Sequence, residues 1–142
     1  MRHRVPVHIR WGDLDAYRHV NNVAMIQLLE EARISVFWHG SWHGSEAEKS
    51  GNGGGRSTAA RDVGSFVVRQ EVEYLKPLDY PRGPLEIEMW VSKLGSSSVD
   101  ICYEIPTLDG EVSARAMTTI VMMNMETGSP RRLTDAEREW LE

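Results

Sequence analysis

Hydrophobic positions along this chain change period once, and the change divides it into a helical part and a sheet part. At the start, Val5, Val7, Ile9 and Trp11 alternate with His8 and Arg10, a short strand pattern that breaks at Gly12. About ten polar or turn-prone residues follow. From about Val23 to Trp38 the apolar positions take helical spacing, with Met25, Leu28, Leu29, Ala32 and Val36 on one face and Ile26, Ile34 and Phe37 widening it. Only Gln27, Glu31, Arg33 and Ser35 remain for a narrow polar side, so other structure is expected to wrap this helix on most sides. Residues 39–62 are polar and glycine-rich, which predicts a flexible loop.

After Gly64 the period is two. Val68, Val72 and Tyr74 alternate with Arg69, Glu71 and Glu73; Leu85, Ile87, Met89 and Val91 alternate with Glu86, Glu88 and Lys93. Val99, Ile101, Tyr103 and Ile105 alternate with Asp100 and Glu104, and a long strand runs from Val112 to Met125. These are half-buried strands joined by turns at Pro81–Pro84, at Gly95–Ser98 and at Asp109-Gly110, the last a strong hairpin signal. A mostly antiparallel meander is expected. Thr134-Asp135-Ala136-Glu137 has the form of a capping box and opens a short C-terminal helix. The economical packing is α+β, with a curled antiparallel sheet of about five strands around one long central helix. The last long strand carries small and apolar residues on one face, and a curled sheet leaves an edge free. Edge-to-edge pairing with a second copy would resolve that edge, so a homodimer or homotetramer is expected.

Composition narrows the class. The 142 residues suit a single domain spanning 1–142, since a chain of this size buries roughly two-thirds of its unfolded surface. A net charge of −5 with scattered basic residues gives no positive stripe for nucleic acid. The N-terminal residues lack the apolar run of a signal peptide, and no window approaches eighteen apolar residues, so a soluble cytoplasmic protein without membrane contact is expected. The single cysteine, Cys102, falls within a strand pattern and reads as a small buried hydrophobe. The methionines at 117, 122, 123 and 125 read as core and interface filler.

The chemistry concentrates in the polar run between the first strand and the helix. Asp13, Asp15, His19, Asn21 and Asn22 should crowd around a helix start, where free N–H groups and roughly half a positive charge suit an oxyanion or a polarised carbonyl. An acid beside an oxyanion site is the equipment of a hydrolase. Asn21 and Asn22 are both good N-caps, and one of them should serve as just that. Asp13 reads as a structural residue of the strand-to-loop turn, while His19 is open between a hydrogen-bonding loop histidine and a catalytic or positioning one. The glycine-rich Gly51–Ser57 lacks the lysine and spacing of a phosphate loop. No G-x-S-x-G elbow occurs, His39 and His43 lack the intervening glutamate of a zinc site, and no metal or separate cofactor is expected.

Trp11-Gly12-Asp13-Leu14-Asp15-Ala16-Tyr17-Arg18-His19-Val20-Asn21-Asn22, followed by Glu30-Glu31-Ala32-Arg33, resembles the hot-dog-fold acyl-CoA thioesterases of the 4-hydroxybenzoyl-CoA thioesterase type. Tyr74-Leu75-Lys76-Pro77-Leu78 and Lys93-Leu94-Gly95-Ser96-Ser97-Ser98 extend the resemblance over roughly residues 5–125. The resemblance implies the hot-dog fold and hydrolysis of acyl-CoA or acyl-carrier-protein thioesters. It makes Asp15, the second acid of the G-D-x-D pattern, the general base or nucleophile. Some relatives carry a histidine where this chain has Asn22, and others polarise the thioester carbonyl with the backbone N–H at that point. Where certain relatives have a tyrosine, this chain has Trp11, and Gly64, Ser65 and Phe66 offer no acid at a position others use. Asp15 is thus the one well-placed acid.

On that reading the N–H groups near Asn22 and Val23 would face the carbonyl oxygen, and the Asn22 side chain would orient the water. Met25, with Phe66 and Val68 of a neighbouring subunit, would line the acyl slot. The resemblance puts the nucleotide of coenzyme A, which enters as part of the substrate, at Gly95, Ser96 and Ser97, with Lys76 or Lys93 adding charge. A thiolate leaving group has a pKa near that of cysteine, about 8.5, and departs without a dedicated acid. Two alternatives share the fold. An enoyl-thioester hydratase would also pair an aspartate with a histidine before the helix, but the N-P-x-H sequence is missing. A non-catalytic acyl-thioester binding protein would keep the slot and lose the base, and Asp15 is retained.

Overall fold

The computed structural model describes residues 2–39 and 64–142. Nearly all of the glycine-rich segment predicted at about 39–62 therefore lies outside the described residues. Six strands form one antiparallel sheet: β1 (His3–Val7), β2 (Gly64–Tyr74), β3 (Leu85–Leu94), β4 (Ser98–Pro106), β5 (Val112–Asn124) and β6 (Ser129–Pro130). The order is β1-β3-β4-β5-β2, with β6 against the end of β5. Two helices accompany the sheet, α1 (Asn22–His39) and α2 (Asp135–Leu141).

Local signals account for most of these boundaries. Gly110 adopts φ 84° in the β4–β5 hairpin, a conformation that glycine reaches without Cβ strain. The Thr134 side chain accepts from the Glu137 N–H while the Glu137 side chain accepts from the Thr134 N–H, so both halves of the α2 capping box are made. The first strand departs from its pattern. It ends at Val7 rather than Trp11, and Trp11–Asp13 turn into a 3-10 helix, although Ile9 still reaches the core.

The expected meander holds for β3, β4 and β5 only. β2 lies beside β5 at the far side of the sheet, with Val72 opposite Ala116 and Tyr74 opposite Ala114. Its connection to β3 contains Pro77, Pro81 and Pro84, residues that cannot donate to a ladder and that carry the chain away instead of folding it back as a hairpin. Among the described residues the free edges are consequently β1 and β2, and β5 is an interior strand.

The inner face of the sheet presents Leu85, Ile87 and Met89 of β3, Val99, Ile101, Tyr103 and Ile105 of β4, and Ala114, Ala116, Ile120 and Met122 of β5. Against it α1 sets Met25, Leu28, Leu29 and Ala32, all buried. Arg33 of α1 donates to the Tyr103 hydroxyl at 3.2 Å and pins the helix over β4. The expectation of a helix enclosed on most sides is not met. Val23 is 69% exposed, and Ile26 and Ile34 also face outward, so the sheet of one chain covers one side of α1.

Antiparallel pairing gives the sheet two distinct ends. Val7, Leu85, Pro106, Val112 and Tyr74 gather at one, and Leu94, Ser98, Val121 and Gly64 at the other. The ten residues of β3 separate these ends by roughly 30 Å at the usual rise per strand residue.

Candidate active site

The loop between β1 and α1 is held almost entirely by its own hydrogen bonds. The Asp15 N–H donates to the His19 carbonyl at 2.8 Å, and the Arg18 N–H donates to the Asp15 carbonyl at 3.0 Å. The Asp15 Oδ1 accepts from the N–H groups of Tyr17 at 2.8 Å and His19 at 3.2 Å. Arg18 closes this tight turn at φ 63°, a left-handed conformation uncommon outside glycine, asparagine and aspartate. One carboxylate oxygen of Asp15 is thereby anchored. The other has no hydrogen bond among the described residues, and the side chain is half-buried.

Asp13 has the structural role expected of it. It is buried, and its carboxylate accepts from the Arg10 N–H at 2.8 Å and the Arg10 guanidinium at 3.0 Å. Burial alone would raise its pKa. The hydrogen bonds and charge of Arg10 outweigh that effect and hold the carboxyl below its ordinary value. The Asp13 carbonyl in turn accepts from Asn21 at 2.8 Å, which ties the turn to the helix start.

Asn21 is the cap of α1. Its Oδ1 accepts from the Val23 N–H at 2.8 Å, and its carbonyl accepts from Met25 at 2.9 Å. This corrects one expectation, because the Val23 N–H is already used by the cap and is not a free donor to a substrate. The Asn22 N–H has no partner among the described residues.

Asp15, His19, Val20, Asn22 and Met25 line one cleft of about 380 Å3 together with Tyr74, Leu75, Lys76, Pro77 and Leu78. The segment after β2 is brought there by three backbone bonds: Val20 donates to the Leu78 carbonyl, and Leu75 and Lys76 both donate to the Ser113 carbonyl. The Ser113 hydroxyl closes the same junction by donating to the Lys76 carbonyl at 2.7 Å. His19 pairs with Asp79, its Nε2 standing 3.6 Å from Oδ1. Lys76 reaches the cleft, but its ammonium is engaged by Glu111.

The other predicted site residues do not join this group within one chain. Val23 is outside the cleft lining. Phe66 and Val68 sit in the far half of β2, half or more exposed, and Lys93, Gly95, Ser96 and Ser97 belong to the β3–β4 junction at that same far end. The 95–97 turn is buttressed by the C-terminal segment: Arg138 donates to the Gly95 carbonyl at 2.6 Å and Leu133 to the Ser96 carbonyl at 2.8 Å. Val20, Tyr74, Leu75, Pro77 and Leu78 line the cleft without having been expected there, and of these Tyr74 carries a polar group. Its signal was the Tyr74–Leu78 segment itself, in which only Lys76 was given a role.

A second hollow, of about 280 Å3, is lined by Arg4, Glu86, Glu88, Glu104 and Glu111 among others. Its four carboxylates would repel a phosphorylated ligand. Among the described residues no group of three or more His, Cys, Asp or Glu side chains is arranged to hold a metal ion, and no helix is long and apolar enough to cross a membrane.

Comparison with known proteins adds the chemistry. The model of the thioesterase-like superfamily matches residues 9–141. The chain belongs to that superfamily. Thioesterase relatives include the long-chain acyl-CoA thioesterase FadM of Escherichia coli, 30% identical over 138 residues that cover 96% of this chain and 94% of FadM. The Bacillus subtilis protein YsmA is also 30% identical, over 95% of this chain and 82% of its own length. A thioesterase from Thermus thermophilus, solved with coenzyme A and zinc, superposes with a TM-score of 0.72 at 28% identity, covering 97% of this chain and 90% of that one.

Proposed function

We propose that this acyl-CoA thioesterase hydrolyses its substrate in the Asp15 cleft, with Asp15 as general base or nucleophile and the Asn22 N–H polarising the thioester carbonyl. The observation that carries the reading is the convergence of Asp15, His19 and Asn22 on one cleft at a helix start, in a chain of the thioesterase-like superfamily. The anchored Oδ1 fixes the carboxylate, leaving the second oxygen to take a proton from water or to attack the carbonyl itself. The helix start supplies a donor and a positive potential where the oxyanion forms, a type of contact worth about 100- to 1000-fold in rate when one donor is removed. His19, tied to Asp79, keeps the loop in register and borders the substrate.

The second half of the site is assigned to a second copy. Lys93 and the Gly95–Ser97 turn lie at the end of the sheet opposite Asp15, roughly 30 Å away, and Phe66 and Val68 in the half of β2 that leads there. Among the described residues β2 is a free edge whose Phe66, Val67, Val68 and Tyr74 are all about half exposed or more, as expected of a strand without a neighbour on that side. Antiparallel pairing of two β2 strands about their midpoint would bring the partner's Phe66 and Val68 to the Tyr74 end. That assembly would also give α1 the wider enclosure its apolar face calls for. The resulting homodimer, alone or doubled into a tetramer, completes the hot-dog arrangement of sheet around helix.

The G-D-x-D loop supports the 4-hydroxybenzoyl-CoA thioesterase type, and similarity to FadM supports a long acyl chain as the substrate. A cytoplasmic location fits a coenzyme A substrate. The test is thiol release from acetyl-, hexanoyl-, palmitoyl- and aromatic acyl-CoAs by wild type and Asp15→Asn, with light scattering for mass. Loss of roughly 100- to 10,000-fold in Asp15→Asn is expected. Equal rates would overturn the mechanism, hydration of crotonyl-CoA would select the hydratase, and binding without thiol release would select the binding protein. A monomeric mass at micromolar concentration would overturn the shared site.

A further inference from the structure

The walls of the Asp15 cleft hold one contact that the mechanism above does not use. The Tyr74 hydroxyl, at the end of β2, donates to the Asn22 carbonyl at 3.2 Å, and both residues line the cleft. That carbonyl belongs to the peptide whose N–H, on Val23, is taken by the Asn21 side chain. The preceding peptide is fixed as well, since the Asn21 carbonyl accepts from Met25. Two successive peptide planes are thus pinned, one of them at both ends, and the single donor left over between them is the Asn22 N–H.

We infer that Tyr74 is a positioning residue for thioester hydrolysis, which fixes the direction of the Asn22 N–H by holding the next peptide plane through its hydroxyl. The inference rests on the reading that this N–H meets the thioester oxygen. The physical case is one of preorganisation. A donor aimed in advance costs no reorientation when charge develops on the oxygen, whereas an exposed first turn of a helix is free to fray. Tyr74 comes from a different part of the chain than the helix it holds, 52 residues away, so the contact couples the β2 edge to the catalytic loop. Tyr74 is also about half exposed, and the ring contributes little to the core. Removing only the hydroxyl therefore leaves the fold in place.

The experiment compares wild type, Tyr74→Phe and Asp15→Asn in steady-state hydrolysis of palmitoyl-CoA, with thermal melting and amide proton–nitrogen NMR spectra of each. Tyr74→Phe is expected to lower kcat by roughly 3- to 10-fold, the size of one net hydrogen bond, with KM within about twofold and an unchanged pH profile. The Val23 amide signal should shift in Tyr74→Phe, because the carbonyl of its own peptide has lost the second donor it has besides the helical bond from Ile26. An unchanged kcat, or a loss confined to KM, would overturn the inference. So would a lost alkaline limb of the pH profile, which would make the phenol a proton carrier. Failure of the underlying reading looks different: Asp15→Asn would then be as fast as wild type, whatever Tyr74→Phe does.

Discussion

Replacing Asn21 by aspartate should stabilise the protein and slow it at the same time. The Asn21 Oδ1 caps α1 by accepting from Val23 at 2.8 Å, and a carboxylate oxygen can accept the same bond. The added negative charge meets the positive end of the helix, an interaction worth about 0.3–1 kcal/mol, which for a domain of this size raises the melting temperature by roughly 1–4 °C. Catalysis feels the same charge with the opposite sign. An oxyanion held about 3 Å from the Asn22 nitrogen would lie on the order of 6 Å from a carboxylate at position 21. Two charges at that separation and an effective dielectric constant of about 20 repel by roughly 3 kcal/mol. Water in the open cleft screens this to about 1–2 kcal/mol, a 5- to 30-fold fall in kcat. Melting by circular dichroism and thiol release from palmitoyl-CoA read the two effects separately. Asn21→Ser, which keeps a cap without charge, is the control and should stay near wild type in both. An Asn21→Asp protein that melts higher and turns over as fast as wild type would refute the idea that negative charge develops at this helix start.

Other consequences follow from individual contacts. The Asp13 carboxyl is held below its ordinary pKa, so its contribution to stability is complete above the usual carboxylate range near 4 and is lost as pH falls through the lower folded value. Urea denaturation between about pH 5 and 2 should therefore show a shallower acid loss in Asp13→Asn than in wild type; parallel curves would contradict the assignment. Glu137, where the hydrogen bonds of Arg131 and Thr134 outweigh burial, follows the same sign, and Glu137→Gln should likewise flatten the curve. The Thr118 hydroxyl is fully buried in β5 with no hydrogen-bond partner among the described residues. Thr118→Val keeps the shape and removes that unpaired group, so it should leave stability unchanged or raise it by about 1 kcal/mol; a loss of more than that in chemical denaturation would mean the hydroxyl has a partner.

Features set by neighbouring residues were legible in the chain alone. The helix at Asn22–His39, the hairpin at Asp109-Gly110, the capping box at Thr134 and the long strand ending near residue 124 all depend on side-chain period or on turn chemistry within a few positions. Asp15 and its loop were legible for the same reason, since the carboxylate bonds only residues 17 and 19. Only the tertiary structure decided the rest. Alternation states that a strand has two faces but not which strand lies beside it, so the placement of β2 against β5, and with it the free edge, came from where the proline-containing segment leads the chain. The same placement put Lys93 and Gly95–Ser97 at the end of the sheet away from Asp15, with Phe66 and Val68 in the half of β2 leading there, because antiparallel pairing sends each strand's ends in opposite directions. Which helix-start N–H remains available was decided by the Asn21 cap, and the carbonyl of the capped peptide meets a tyrosine 52 residues away. A donor's freedom depends on every group that reaches it, and those groups meet only once the chain has folded.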